Sequence, residues 1–282
     1  MTAQERAFAQ VDVFTEEPIR GNPVAVCLDG YGLSDDQMQR FAAWTNLSES
    51  TFVLPPTRPD ADYRVRIFTP TQELPFAGHP TLGTAHAWLA AGGQPSGETI
   101  VQECGVGLVR VRRDTDSGRL SFAGPERRRS GPLDQSDVDL LVAALGLDGT
   151  DVVSHQWCDN GPPWQALLLD STERVLAVRP DAAALAGRYV AVAARLPVGA
   201  PIDLEVRAFF PGGPGLVEDP VTGSLNAALG QWLIGAGLLP TSYVAAQGSC
   251  LERAGRVYVE SVEGQIWVGG SCRTVVEGVL RL

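Results

Sequence analysis

The chain has 282 residues, 44% of them apolar, and its 22 basic and 33 acidic side chains leave a net charge of −11. That length holds a sizeable core in one large domain or two small ones, and the acidic balance argues against general nucleic-acid binding, which needs a basic footprint. Every basic residue is Arg; without Lys, Schiff-base chemistry on pyridoxal phosphate and a Walker A loop are both excluded.

Residues Met1 to Gln10 are polar, without the apolar stretch of a signal peptide, and no run of about 18 apolar residues occurs to span a membrane. Phe8 to Phe14 and Pro23 to Leu28 read as strands. Ser34 to Trp44 reads as a helix with Ser34 as its N-cap. Ser50 to Leu54 and Ala61 to Phe68 read as strands, and Pro80 to Ala91 as a helix stopped by Gly92-Gly93. Thr99 to Gln102, Gly107 to Arg112 and Arg119 to Phe122 read as closing strands. Pro125 to Pro132, with three consecutive Arg, reads as a solvated linker. Beyond it come a helix over Ser136 to Leu145, a strand over Ala166 to Asp170, a short helix over Asp181 to Leu185 and a strand over Tyr189 to Ala193. Pro220 to Ile234 reads as a second prominent helix. Tyr243 to Gln247, Gly255 to Val262 and Gln265 to Val268 read as strands, and a last strand over Thr274 to Leu282 could cross back to the first half.

The five Cys (27, 104, 158, 250 and 272) are widely spaced and form no CxxC, which argues against a disulfide framework or a zinc site. The three His (79, 86 and 155) form no HxH or HExxH. No metal is expected, and a soluble, reduced, cytoplasmic protein is the simplest reading.

The chain also resembles itself. His79-Pro80-Thr81-Leu82-Gly83-Thr84 and Asp219-Pro220-Val221-Thr222-Gly223-Ser224 both read [HD]-P-x-x-G-[ST], 140 residues apart. Val65-Arg66-Ile67-Phe68 matches Val206-Arg207-Ala208-Phe209, and Gly21-Asn22-Pro23 matches Gly161-Pro162-Pro163, at nearly the same offset. An internal duplication explains all three, with halves near 1–125 and 126–282. Asp219-Pro220 has the form of an N-cap with Pro at the first helical position, and His79-Pro80 has the same form. Gly83 and Gly223 would then sit in a first turn, where a missing side chain lets a ligand approach backbone N–H groups. Two such helix starts could face one crevice and bind a carboxylate; two capped, buried helices with no ligand fit the same residues.

Several motifs identify a family resemblance: Val11-Asp12-Val13-Phe14-Thr15, Gly21-Asn22-Pro23-Val24-Ala25-Val26, Asn46-Leu47-Ser48-Glu49-Ser50-Thr51-Phe52-Val53, Arg66-Ile67-Phe68-Thr69-Pro70, Glu73 to Gly83, Glu218 to Ser224 and Gln247-Gly248. Together they are similar to the PhzF-like proteins of phenazine biosynthesis. The resemblance implies an α+β, diaminopimelate-epimerase-like fold: two pseudo-symmetric halves, each a mixed sheet rolled around a central helix, with the active site between them. It implies a homodimer and an isomerase without metal or organic cofactor, acting on a small carboxylate-bearing substrate. Trans-2,3-dihydro-3-hydroxyanthranilate is the founding substrate. In that pattern Glu49 is the proton-transfer carboxylate, His79, Asp219 and Ser224 complete the polar site, and Gly78 and Gly223 line it. Neither nucleic acid nor membrane is an expected partner.

Two competitors remain. Epimerases or racemases of the same fold use two Cys at the central helix starts, but no Cys lies within ten residues of His79 or Asp219. A non-catalytic small-molecule binding protein would lack the acid, but Glu49 is present. His86, His155 and Cys104 read as structural.

Overall fold

The computed structural model describes residues 4–212 and 215–282. The chain divides into two compact units, Met1–Ala123 with Gly269–Leu282, and Gly124–Val268.

In the first unit, β1 (Glu5–Val13) and β2 (Asn22–Cys27) pair antiparallel. The turn between them is built around the buried Asp12, whose Oδ2 accepts from the backbone N–H groups of Arg20 (2.8 Å) and Gly21 (3.0 Å). Gly21 is required because a Cβ there would collide with the Val13 carbonyl. Helix α1 (Asp35–Thr45) carries the chain over to β3 (Glu49–Leu54), which lies parallel to β2; a parallel neighbour needs such a crossover. Ser34 caps α1 as its sequence predicts, in a full capping box with Gln37. Asn46 ends the helix in the left-handed conformation, at φ 54°. Its inner face, Met38, Phe41 and Ala42, packs with Cys27, Phe52 and Phe68.

Strand β4 (Tyr63–Phe68) returns antiparallel to β3 and pairs with the short β5 (Glu73–Leu74). Helix α2 (Gly78–Ala90) then crosses to β6 (Ile100–Cys104), parallel to β4, and β7 (Gly107–Arg113) and β8 (Leu120–Ala123) complete the meander. The C-terminal strand β17 (Cys272–Arg281) joins this unit by pairing antiparallel with β1 along its whole length. Gly78 to Ala85 of α2 are all buried, as expected of a helix enclosed by its sheet rather than lying on it. It packs against β1, β2, β3, β6, β8 and β17. Gly83 is part of this packing: a Cβ there would strike Val24 Cγ1. Its missing side chain brings helix and sheet together and does not serve ligand approach, which corrects the expectation for this glycine.

The second unit repeats the pattern after an added helix, α3 (Gln135–Leu145), which ends at Gly146 with φ 68°. Strand β9 (Val152–Asp159) pairs antiparallel with β10 (Pro163–Leu169), and β10 runs parallel to β11 (Tyr189–Arg195) across helix α4 (Thr172–Ala177). Strand β12 (Leu204–Gly212) returns antiparallel and forms a hairpin with β13 (Gly215–Glu218). Helix α5 (Gly223–Gly235) crosses to β14 (Ser242–Gln247), parallel to β12, followed by β15 (Gly255–Val262) and β16 (Gln265–Gly270). Leu141 and Leu145 of α3 pack with Leu167, Leu169, Val190, Val192 and Phe209.

The fold is therefore α+β, with two similar halves, each a mixed sheet around a central helix. The repeat reaches single side chains. Arg66 on β4 grips Glu73 of β5 through two bonds of 2.7 and 2.6 Å, and Arg207 on β12 grips Glu218 of β13 through bonds of 2.9 and 2.8 Å.

Several elements differ from the sequence reading. Neither His79 nor Asp219 is a helix cap: α2 starts at Gly78 behind Ala77, and α5 starts at Gly223 behind Thr222. Residues 181–185 form a turn in which Asp181 Oδ1 accepts from Ala183 and Ala184 N–H, not a helix. Strands β9 and β13 and helix α4 lack a clear period in the sequence and emerge only in the structure. The stretch Pro125 to Pro132 is largely exposed, as a solvated connection should be, and two contacts tie it down. The Arg129 guanidinium stacks 3.7 Å from the Trp157 ring centre, and Gln231 donates to the Pro125 carbonyl.

Candidate active site

Glu49 opens β3, paired in register with Val24 of β2. His79 lies in the first turn of α2. The structure brings these two side chains together, with His79 Nε2 3.3 Å from Glu49 Oε2 and both largely buried. Their relative position is fixed just behind them. Thr84 of α2 donates to Thr51 of β3 at 2.8 Å, and both threonines are fully buried. Gln102 of β6 donates to Thr81 at 3.0 Å and accepts from Tyr63 at 3.1 Å. The helix is thereby tied to β3 directly and, through Gln102, to β6 and β4.

The electrostatics follow from burial. Loss of water pushes His79 down to about 3, opposed by a hydrogen bond to the Pro23 carbonyl. The ring is therefore neutral near pH 7, and its contact with Glu49 is not an ion pair. Nε2 makes no hydrogen bond, so the proton donated to Pro23 sits on Nδ1. A neutral imidazole protonated on Nδ1 presents a lone pair at Nε2, and that lone pair faces the Glu49 carboxyl. This also gives a role to Gly21-Asn22-Pro23: the turn delivers the carbonyl that fixes the His79 tautomer.

Asp219, Gly223 and Ser224 belong to the second unit, at the start of α5. Thr222 Oγ1 donates to Asp219 Oδ2 at 2.6 Å. Gln247 of β14 organises the remainder. Its amide donates to the Asp219 carbonyl (3.1 Å) and Thr222 Oγ1 (2.9 Å), and its oxygen accepts from Thr222 N–H (3.1 Å) and the Asn226 side chain (3.0 Å). The glutamine's hydrogen-bonding capacity is fully used. Gly248 follows at φ 91°, where a Cβ would also come within 2.6 Å of the Pro220 carbonyl, so Gln247-Gly248 is a structural requirement of this helix start. From Val221 to Gly230 only Ser224 is not buried. Its hydroxyl accepts from Trp164 Nε1 at 3.3 Å, and its carbonyl accepts from Asn160 at 2.8 Å.

The sequence reading did not single out Trp164 or Asn160, or the part played by Gln247. One signal was present for the last: a Gln follows the central helix in each half, at 102 and 247, and each donates to a threonine within the repeated motif, Thr81 or, one motif position later, Thr222. The other two His make structural contacts. His86 meets Thr274, and His155 accepts from Leu133 N–H. Burial pushes the Cys27 thiol up to about 11 and those of Cys158 and Cys272 up to about 12, the reverse of what thiolate chemistry needs. Among the described residues, no group of three or more His, Cys, Asp or Glu gathers as a metal ion would require, and no helix is long and apolar enough to cross a membrane.

Comparison with known proteins agrees with this architecture. The family model for phenazine biosynthesis-like proteins, PhzC-PhzF, matches residues 11–278. A trans-2,3-dihydro-3-hydroxyanthranilate isomerase of Pseudomonas aeruginosa is 38% identical over 222 residues, covering 79% of this chain and 77% of that one. Antisense-enhancing sequence 1 of Schizosaccharomyces pombe is 35% identical over 296 residues, covering 97% and 98%. The crystal structure of a PhzF-family phenazine biosynthesis protein from Bacillus anthracis aligns with a TM-score of 0.85 over 99% of this chain and 100% of that one; at 22% identity this is a likeness of fold. With its motifs in order, its duplicated fold and a family match over nearly its whole length, the chain belongs to the phenazine biosynthesis-like family and is an isomerase of the PhzF type.

Proposed function

We propose that this isomerase moves a proton between two carbons of a small, carboxylate-bearing substrate without a cofactor, and that trans-2,3-dihydro-3-hydroxyanthranilate is such a substrate. The observation that carries the reading is the Glu49 carboxyl held 3.3 Å from the lone-pair nitrogen of a neutral, buried His79. The relative of that name in Pseudomonas aeruginosa supports the substrate.

In this reading Glu49 takes a proton from a ring carbon. The electron pair it leaves spreads along the conjugated system, and Glu49 returns a proton at the far end. No oxidant or reductant enters the balance. While Glu49 carries the proton, Nε2 of His79 accepts its O–H as a hydrogen bond and holds the acid in place. Asp219 is proposed as a partner for the substrate's amino or hydroxyl group. Ser224 and the backbone N–H groups near it are proposed to receive the carboxylate, with Gly223 lining the site at Ser224 and Gly78 lining it at His79. The family resemblance further supports a homodimer acting in the cytoplasm.

The test is an ultraviolet assay of trans-2,3-dihydro-3-hydroxyanthranilate with wild type and Glu49→Gln. Wild type is expected to turn it over and the variant to lose about 10²–10⁴-fold, the usual share of one acid–base group. Absence of turnover by wild type removes this substrate. Undiminished turnover by Glu49→Gln removes the acid.

A further inference from the structure

The two halves use the same positions differently. In the first, Val24 of β2 stands in register with Glu49 of β3; in the second, Trp164 of β10 stands in register with Tyr189 of β11. Each second-half residue is its counterpart's number plus 140, the offset of the repeated motif. The hydroxyls of the motif also diverge. Thr84 is fully buried and donates its proton to Thr51. Ser224, its counterpart, is half-buried and accepts a proton from Trp164.

An indole N–H can only donate. The Trp164 bond therefore occupies a lone pair of Ser224 Oγ and turns the hydroxyl proton elsewhere. Trp164 is itself held: it is 2% exposed, and the Tyr189 ring meets it edge-on, with centres 5.3 Å apart and planes at 89°. Asn160, 6% exposed, fixes the Ser224 backbone through its side-chain amide.

We infer that Trp164 is a positioning residue which, with Asn160 and Tyr189, dedicates the Ser224 hydroxyl as a hydrogen-bond donor to the carboxylate of the bound substrate. The inference rests on the proposed role of Ser224 and extends it: the second half has given over the position equivalent to Glu49 to orienting this donor.

The test is a double-mutant cycle on the full chain, measuring the Kd of anthranilate, a carboxylate probe, by titration calorimetry. Ser224→Ala is expected to weaken binding about 30-fold, the loss of a hydrogen bond to a charged group, and Trp164→Phe about fivefold, through a donor less well aimed. Trp164→Phe in the Ser224→Ala background is expected to change nothing further. Asn160→Leu, which keeps the volume and removes the amide, is taken through the same cycle, so the test survives if Trp164→Phe fails to fold. Equal losses in both backgrounds overturn the inference, because a purely structural residue weakens binding whether or not Ser224 is present. If Ser224→Ala weakens binding while Trp164→Phe and Asn160→Leu do not, the positioning role alone falls. If Ser224→Ala binds anthranilate as well as wild type, the carboxylate role of Ser224 fails and takes the inference with it.

Discussion

His79 is kept neutral by burial, and that has a thermodynamic signature. In the unfolded chain its imidazole titrates near the ordinary value of 6.5; in the folded one it resists protonation until about pH 3. Between those values the unfolded state holds the extra proton, so this contribution to stability is complete above pH 6.5 and is lost as pH falls toward 3. One proton corresponds to about 1.4 kcal/mol per pH unit, hence about 2 kcal/mol by pH 5. Urea unfolding at pH 7 and pH 5 should show wild type losing about 2 kcal/mol more than His79→Asn. Equal losses would mean that the ring is not buried in its neutral form. The sequence motifs made both members of the pair legible. They did not show the Nδ1 tautomer, because that depends on a carbonyl 56 positions earlier in the chain, at Pro23.

At the scale of elements, local chemistry was legible where it acts alone. Ser34 and Gln37 cap α1 with no help from elsewhere. At the central helices tertiary contacts override the local signal. His79-Pro80 reads as a helix start, yet α2 begins at Gly78. Pro80 is tolerated as its third residue because first-turn N–H groups lack intrahelical partners anyway. At α5 the equivalent signal is displaced further: Asp219-Pro220 precede the helix, and a glutamine from β14 accepts from the N–H of Thr222, the residue that caps it. The two kinds of start should differ in cost. Ser34→Ala removes an exposed cap, about 1 kcal/mol. Gln247→Leu strands buried groups of Thr222, Asn226 and Asp219 at about 1–3 kcal/mol each, so about 3 kcal/mol or more in total. Denaturant unfolding of both variants checks this ordering; a Gln247→Leu cost no larger than that of Ser34→Ala would contradict the role given to Gln247.

For the whole molecule, the repeat in the sequence marks a repeat of topology. The order of pairings from β1 to β7 recurs from β9 to β15, down to the arginine–glutamate grip across each hairpin. The matching motifs revealed that much because glycines, prolines and charged pairs are held to position by backbone geometry. Specialisation between the halves was hidden, because it appears only once strand register sets Glu49 against Val24 and Tyr189 against Trp164. In the proposed function, proton transfer belongs to the half that carries Glu49 and His79.

The most direct test of that assignment is to run the reaction in heavy water and locate deuterium in the product by NMR. With trans-2,3-dihydro-3-hydroxyanthranilate, wild type should place deuterium on the carbon that gains hydrogen, and Glu49→Gln should place none there over the same time while still binding anthranilate. Deuterium entering that carbon at the wild-type rate in Glu49→Gln would contradict the account, since some other group would then be carrying the proton.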